Sequence, residues 1–246
     1  MKEVQVWEKH WSEHGAAVFT PLSYAQLHWL RLLEGHVKPG HLVLEAGAGS
    51  ATVSLMLTHK LPIKLTLLDF AQAACLMIKK GSGSGGASPY IVQGDVRATP
   101  FKDAAFDLVW SAGVLEHFPQ PEKVLQEFHR LLRPGGKVVS VVPGKYSLWG
   151  VYQRYHQWRH GHWKHGYERQ VTVSELRGTH EKAGFRVLSA HTLPSMYLAE
   201  YLERGTTLLK RALNPLGKIL RRVGPDPLRA LLGYDVVVVG QKEGAP

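Results

Sequence analysis

Three acids in the first hundred residues each follow a short apolar run. They are Glu45 in Val43-Leu44-Glu45-Ala46-Gly47-Ala48-Gly49-Ser50-Ala51, Asp69 in Leu67-Leu68-Asp69-Phe70, and Asp95 in Gly94-Asp95-Val96. Gly47 and Gly49 permit a tight turn and a close approach of backbone to ligand. A dinucleotide turn has a further glycine where this chain has Ser50-Ala51-Thr52. Glu45 would oppose a pyrophosphate but attract a cationic amino group. Asp69 lies 24 residues after Glu45, and a carboxylate there can accept from both hydroxyls of a ribose. Phe70 offers an apolar face to a base, or to the core. Asp95 can accept from an exocyclic amine, or stabilise a turn. Together these residues suit an adenosine-type ligand with positive charge.

The elements that must position these acids alternate along the chain. Strands are expected over residues 41–45, 63–68, 90–93, 106–110 and 137–142, and helices over 50–60 and 71–80. A further helix starts at Pro121, where Val124, Leu125, Phe128, Leu131 and Leu132 share one face before Pro134-Gly135-Gly136 stops it. Alternation of this kind gives an α/β, doubly wound, mostly parallel sheet, which places successive strand ends on the face where such sheets bind ligands. Ahead of the first strand, Thr20-Pro21 reads as a helix start, with Leu22, Leu27, Leu30 and Leu33 on a buried stripe. Residues 81–86 are all Gly and Ser. They resemble an inserted flexible spacer, with a natural surface loop as the alternative, and carry no functional reading.

The chain has 246 residues, 44% hydrophobic and 20% charged, which excludes disorder and fibrous architectures and suits one domain with insertions. No apolar run is long enough to span a membrane and no secretory leader pattern opens the chain. The single cysteine, Cys75, cannot form an internal disulfide, and it lies in an apolar run expected on a buried helix face; a cytoplasmic location is expected. The net charge of +10 favours anionic partners through its long-range field, or describes an ordinary basic surface.

These stretches, with Phe106-Asp107-Leu108-Val109-Trp110-Ser111, Val114-Leu115-Glu116-His117-Phe118 and Leu131-Leu132-Arg133-Pro134-Gly135-Gly136-Lys137, resemble the class I S-adenosylmethionine (SAM)-dependent methyltransferases. The likeness is strongest to the small-molecule branch that includes ubiquinone and menaquinone biosynthesis enzymes. It implies a seven-stranded Rossmann-like sheet whose last strand is antiparallel, with residues 185–193 and 234–241 as the sixth and seventh strands. It also implies that Glu45, Gly47 and Gly49 surround the methionine part of SAM, Asp69 holds the ribose, and Asp95 and the Val96 amide read adenine. Ser111 would lie near the methionine end or the reacting methyl. The third motif glycine of the family is Ala51 here. His117 is the candidate catalytic base, or else a histidine that orders the turn after the fourth strand.

Two insertions interrupt this pattern. Residues 145–170 carry Tyr152, Tyr155 and Trp158 among several histidines, and are expected either to close over the methyl acceptor or to pack on the domain as an amphipathic helix. His156 and His160 have the i, i+4 spacing of metal ligands, but no cysteine or acid completes a set and no metal is expected. Residues 196–233 form a basic, leucine-rich element suited to an anionic membrane surface or, in preference, to packing on the sheet edge. The expected organisation is a helical cap over 1–40, a SAM-binding core over 41–142, an aromatic lid over 143–172, and C-terminal strands over 173–246. The activity expected is SAM-dependent methyl transfer to a small-molecule acceptor. A nucleic-acid methyltransferase is the alternative enzyme, disfavoured because Ser111-Ala112-Gly113-Val114 lacks the Asn/Asp-Pro-Pro-Tyr/Phe type of motif. A non-catalytic SAM-binding interaction protein is the rival from another class.

Overall fold

A computed structural model describes residues 2–14, 22–82, 88–163, 165–193 and 235–244. In chain order the elements are α1 (Lys2–His14), α2 (Tyr24–Glu34), β1 (Leu42–Ala46), α3 (Thr52–Lys60), β2 (Lys64–Asp69), α4 (Gln72–Ser82), β3 (Tyr90–Gln93) and β4 (Phe106–Ala112). A 3₁₀ turn (Leu115–His117) leads to α5 (Pro121–Leu131), β5 (Leu132–Pro143), α6 (Leu148–His160), α7 (Val173–Lys182), β6 (Phe185–Leu193) and β7 (Asp235–Lys242). The seven strands form one sheet in the order β3-β2-β1-β4-β5-β7-β6. Pairings from β3 through β5 are parallel, and β7 runs antiparallel to both β5 and β6. The expected basic insertion at 196–233 and most of the Gly/Ser run lie outside the described residues.

Strand periodicity builds the two cores. Val43, Leu67, Leu108, Trp110, Val139 and Val237 face α2, α3 and α4, while Leu44, Leu68, Val109, Val138 and Val238 face α5 and α7. The inner strands are apolar on both faces, as a sheet covered by helices on both sides requires, whereas the edge strands β3 and β6 are partly exposed. Strand order reverses between β1 and β4, so a crevice opens beyond their carboxyl ends.

The sequence reading departs from the structure at the helix starts. Among the described residues two helices, not one, precede β1. The second is capped by Ser23, and the expected start at Thr20-Pro21 lies outside the described residues: Ser23 Oγ accepts from the Gln26 amide at 3.2 Å and Gln26 Oε1 accepts from the Ser23 amide at 2.9 Å. This reciprocal capping box satisfies two amides that the helix itself leaves unbonded. Leu27 faces outward, because only Leu30 and Leu33 of the expected stripe are buried. Cys75 is half-buried; its thiol is pushed up to about 11, chiefly by burial, and stays protonated. The helix after Pro121 ends at Leu131, and Leu132 already pairs with Phe106 ahead of an irregular register.

The helix after the glycine turn begins at Thr52 because Ala51 lies at φ 53°, ψ 14°, in the left-handed region, and is buried. An alanine costs roughly 1–2 kcal/mol there, whereas glycine adopts the region freely. We expect Ala51→Gly to raise stability by about 0.5–1 kcal/mol, because relieved backbone strain exceeds glycine's greater freedom in the unfolded chain. A thermal melt beside the parent protein checks this, and an unchanged or lower Tm would show that the turn is relaxed.

Candidate functional site

The turn after β1 is held by β2. The amides of Gly47 and Ala48 both donate to the Leu68 carbonyl, at 2.8 and 2.9 Å. The Gly49 amide donates to Asp69 Oδ2 at 2.8 Å, and Asp69 Oδ1 accepts from the Ala71 amide at 2.9 Å. The Asp69 carboxylate thus joins the turn after β1 to the turn after β2. The turn's amides are committed to the protein, which removes the open amide cradle that a pyrophosphate uses. Gly47 is required twice: its φ is 77°, and a Cβ there would lie 2.4 Å from Val114 Cγ2.

Glu45 leaves the end of β1 with a buried carboxyl whose Oε2 has no hydrogen-bond partner. Trp110 Nε1 donates to Ser54 Oγ at 2.9 Å, and Ser54 in turn hydrogen-bonds Glu45. Burial pushes the Glu45 carboxyl up to about 8, against the Ser54 bond that favours the charged form. Burial likewise raises Asp69, although its backbone amide donors oppose the rise.

These groups line one cleft of about 380 Å³ that runs along the carboxyl ends of the strands. Glu45, Gly47, Gly49, Asp69, Phe70, Val96 and His117 all border it. The structure does not bring the other expected residues there. Ser111 is buried with its neighbours Trp110 and Ala112 on the cleft wall, so the two-residue strand period turns it to the other face of the sheet. Asp95 is off the wall as well. Its Oδ2 accepts from Arg97 Nη2 at 2.6 Å, and its Oδ1 accepts from the Arg97 amide at 2.8 Å, which is the turn-stabilising arrangement. The Arg97 hydrogen bond holds the Asp95 carboxyl below its usual range.

The aromatic insertion divides in two. On α6, Tyr155 and Trp158 are 57% and 79% exposed, and Tyr152 packs edge-on against Trp163 instead of facing the cleft. The segment after α6 does reach the cleft, through His165, Tyr167 and Glu168. It is tied to the 3₁₀ turn by the Arg169 amide, which donates to the Glu116 carbonyl at 2.8 Å, and by His117 Nδ1, 2.7 Å from the Tyr167 carbonyl. Since a carbonyl only accepts, Nδ1 carries the hydrogen, and the neutral ring has its lone pair on Nε2. His156 and His160 sit with ring centroids 4.5 Å apart, and among the described residues no group of three or more His, Cys, Asp or Glu can hold a metal.

Helix α1 covers the open side. Glu8 accepts from the Ala73 amide at 3.0 Å, which seats the helix on the start of α4. Trp11 lies so close to the turn that a Cβ on Gly49 would be 2.5 Å from its ring. Trp7 packs edge-on against His117 and stacks on His165 at 5.8 Å. Glu116, Glu168, Asp235 and Trp29 also border the cleft and were missed as site residues in the sequence. Glu116 is adjacent to the expected base, and Asp235 precedes a run of four valines; an isolated acid in each apolar stretch was the available signal.

Residues 44–140 match the family model described as "Methyltransferase domain". Over this region the chain is similar to class I, SAM-dependent methyltransferases. Its matched region resembles the quinone-biosynthesis branch: it is 34% identical over 125 residues to a demethylmenaquinone methyltransferase from Desulfitobacterium hafniense (strain Y51), covering 48% of each protein. It is also 31% identical over 113 residues to a sarcosine/dimethylglycine N-methyltransferase from Halorhodospira halochloris, covering 45% of this chain and 40% of that one. The chain thus spans about half the length of the curated relatives it matches. Among solved structures, the [4+2]-cyclase SpnF superposes with a TM-score of 0.66 at 18% identity, covering 89% of this chain and 81% of that one. That likeness fixes the Rossmann-like methyltransferase fold, which a cyclase shares, so the reaction has to be argued from the site.

A carboxyl raised on folding holds its proton more tightly in the folded than in the unfolded state, so its contribution to stability falls as pH rises from the ordinary value to the folded one. For Glu45 that interval runs from 4.5 to about 8. Buried histidines such as His180, lowered to about 4 chiefly by burial, act in the opposite sense but only below their ordinary 6.5. Between about pH 6.5 and 8 the Tm of the ligand-free protein should therefore fall with rising pH, and Glu45→Gln should flatten the fall. Melts across that interval check this, and equal slopes in both proteins would place the destabilising charge elsewhere.

Proposed function

We propose that the chain transfers the methyl group of SAM to a small-molecule acceptor within this cleft. The observation that carries the reading is the pair Glu45 and Asp69: two buried carboxylates on adjacent strand ends beside a glycine turn whose amides are already bonded. That arrangement disfavours phosphate and suits a cationic amino group beside a ribose. The match to demethylmenaquinone and sarcosine/dimethylglycine methyltransferases supports a small-molecule acceptor.

SAM, when bound, supplies a methyl group on a positively charged sulfur. Glu45 Oε2 would accept from the methionine ammonium. Backbone amides of Gly49, Phe70 and Ala71 fix the Asp69 carboxylate at the cleft wall, where it would accept from a ribose hydroxyl. Phe70 and the buried Val96 would flank the base, with the Val96 amide rather than the Asp95 carboxylate as its polar contact. Trp7 and Trp11 on α1 would exclude water from the transfer. His117 borders the cleft with Nδ1 donating to the Tyr167 carbonyl and Nε2 4.0 Å from Glu116 Oε1, which supports a role in taking the acceptor's proton or orienting it. The acceptor contacts fall to His165, Tyr167 and Glu168 of the aromatic insertion rather than to Tyr152, Tyr155 and Trp158. No helix among the described residues is long and apolar enough to cross a membrane.

Calorimetry should show binding of SAM and S-adenosylhomocysteine and none of NAD. Asp69→Ala should weaken S-adenosylhomocysteine binding by about 1.5–3 kcal/mol, the range for hydrogen bonds to a charged group. Trp158→Ala, on the exposed face of α6, should leave it unchanged. Preference for NAD, or full affinity in the Asp69 variant, would remove the assignment.

A further inference from the structure

The cleft does not account for the outer face of α6. A surface helix of a globular domain turns its apolar residues to the protein and its polar residues to water, and α6 does the reverse. Its inward residues include Gly150 and Gln153, both buried. Gln153 Nε2 donates to the Glu168 carbonyl at 3.0 Å, and Gln153 Oε1 accepts from Gln170 Nε2. A Cβ on Gly150 would lie 2.7 Å from Gln170 Oε1, so the helix is seated closely on that segment. On the opposite side Val151, Tyr155 and Trp158 follow the i, i+4, i+7 spacing of one helical stripe. They are 53%, 57% and 79% exposed, and the rings of Tyr155 and Trp158 lie 6.1 Å apart. Tyr146, in the turn ahead of the helix, is also exposed.

The stripe is edged by positive charge. Arg154 and Arg159 flank it on the helix surface and are exposed. Arg154 Nη1 donates to the Lys145 carbonyl at 3.4 Å and to Gln170 Oε1 at 3.1 Å, and neither acceptor carries a charge that would neutralise it. Residues 128–167 contain no Asp or Glu at all. The face therefore combines an apolar, aromatic row that water solvates poorly with guanidinium groups that seek anions.

We infer that α6 docks on the surface of an anionic lipid bilayer, with Val151, Tyr155 and Trp158 in the interfacial layer and Arg154 and Arg159 on lipid phosphates. Indole and phenol rings favour the boundary between headgroups and acyl chains, and an amphipathic helix with basic edges lies in that plane. Charge decides against the other occupants. A second copy of the chain, meeting this face through its own, would set the same arginines against each other. The chain's leucine-rich residues 196–233 carry seven basic residues against three acids and so repeat its sign. A nucleic acid is tracked by a row of cations along its phosphates, whereas here two arginines flank an apolar row. The Gln153 bond to the Glu168 carbonyl joins this helix to the segment that lines the cleft, so docking through α6 would hold the cleft beside the bilayer.

The test is co-sedimentation of the full chain with vesicles of equimolar phosphatidylglycerol and phosphatidylcholine, and with vesicles of phosphatidylcholine alone. The parent protein should bind the anionic vesicles at least about tenfold more tightly, and added salt should weaken that binding. Tyr155→Ser with Trp158→Ser, and separately Arg154→Gln with Arg159→Gln, should each reduce binding to anionic vesicles by at least about tenfold. All four positions are exposed, and thermal melts establish that both variants are folded. Equal binding to the two vesicle types, or parent-like binding by both folded variants, would overturn the inference, the latter moving membrane contact to another part of the chain. No binding to either vesicle would overturn it as well. In that event, self-association lost in the Tyr155 and Trp158 variant would assign the face to a second copy, and capture of a short RNA lost in the arginine variant would assign it to nucleic acid.

Discussion

An ionised carboxylate taken out of water without a positive partner is among the least favourable features a fold can hold, and this chain buries an acid at the end of β1 that keeps its proton instead. Glu45 ends β1, the strand beside the reversal in strand order, with one carboxyl oxygen unbonded. Everything around it is arranged to keep it there. Trp110 from β4 holds Ser54, Ser54 holds Glu45, and the glycine turn just after it is bonded to β2 through Leu68 and Asp69. The strain at Ala51 has the same origin, because the chain must turn sharply to open α3 while leaving Glu45 facing the cleft. Residues held at unfavourable geometry or ionisation tend to be those whose ligand supplies the missing interaction.

The same logic organises the cleft along its length. The parallel strands deliver acids at their carboxyl ends, and the antiparallel β7 delivers Asp235 to that edge from the opposite chain direction. A protein of net charge +10 thus gathers several acidic side chains in this cleft. Long-range attraction of anions by the surface and selection of cations within the cleft are separate effects, since a low-dielectric cavity is governed by its nearest charges.

Much of this was legible in the chain. The strands from β1 to β5 followed from apolar runs between turn residues, and Glu45, Gly47, Gly49 and Asp69 from their positions at strand ends. What was not legible depended on side-chain direction. Ser111 was one strand position from the cleft wall, and a period of two turned it away. Asp95 was claimed by Arg97, two residues on, a competition that no motif announces. The aromatics of α6 follow a helical spacing that does not say which face meets the protein, whereas the polar residues after α6 were drawn to the 3₁₀ turn by backbone hydrogen bonds. Asp235 could be placed only by knowing that the strand it opens enters the sheet between β5 and β6.

The central claim is that Glu45 waits, protonated, for a cationic group of the cofactor. Its carboxyl, raised to about 8 in the ligand-free protein, must ionise when an ammonium arrives. Calorimetric titration of S-adenosylhomocysteine at pH 7, in buffers of differing ionisation enthalpy, measures the protons exchanged on binding. The account predicts release of about one proton by the parent protein and close to none by Glu45→Gln. Binding with no proton release, or release that persists in the Glu45 variant, would contradict it.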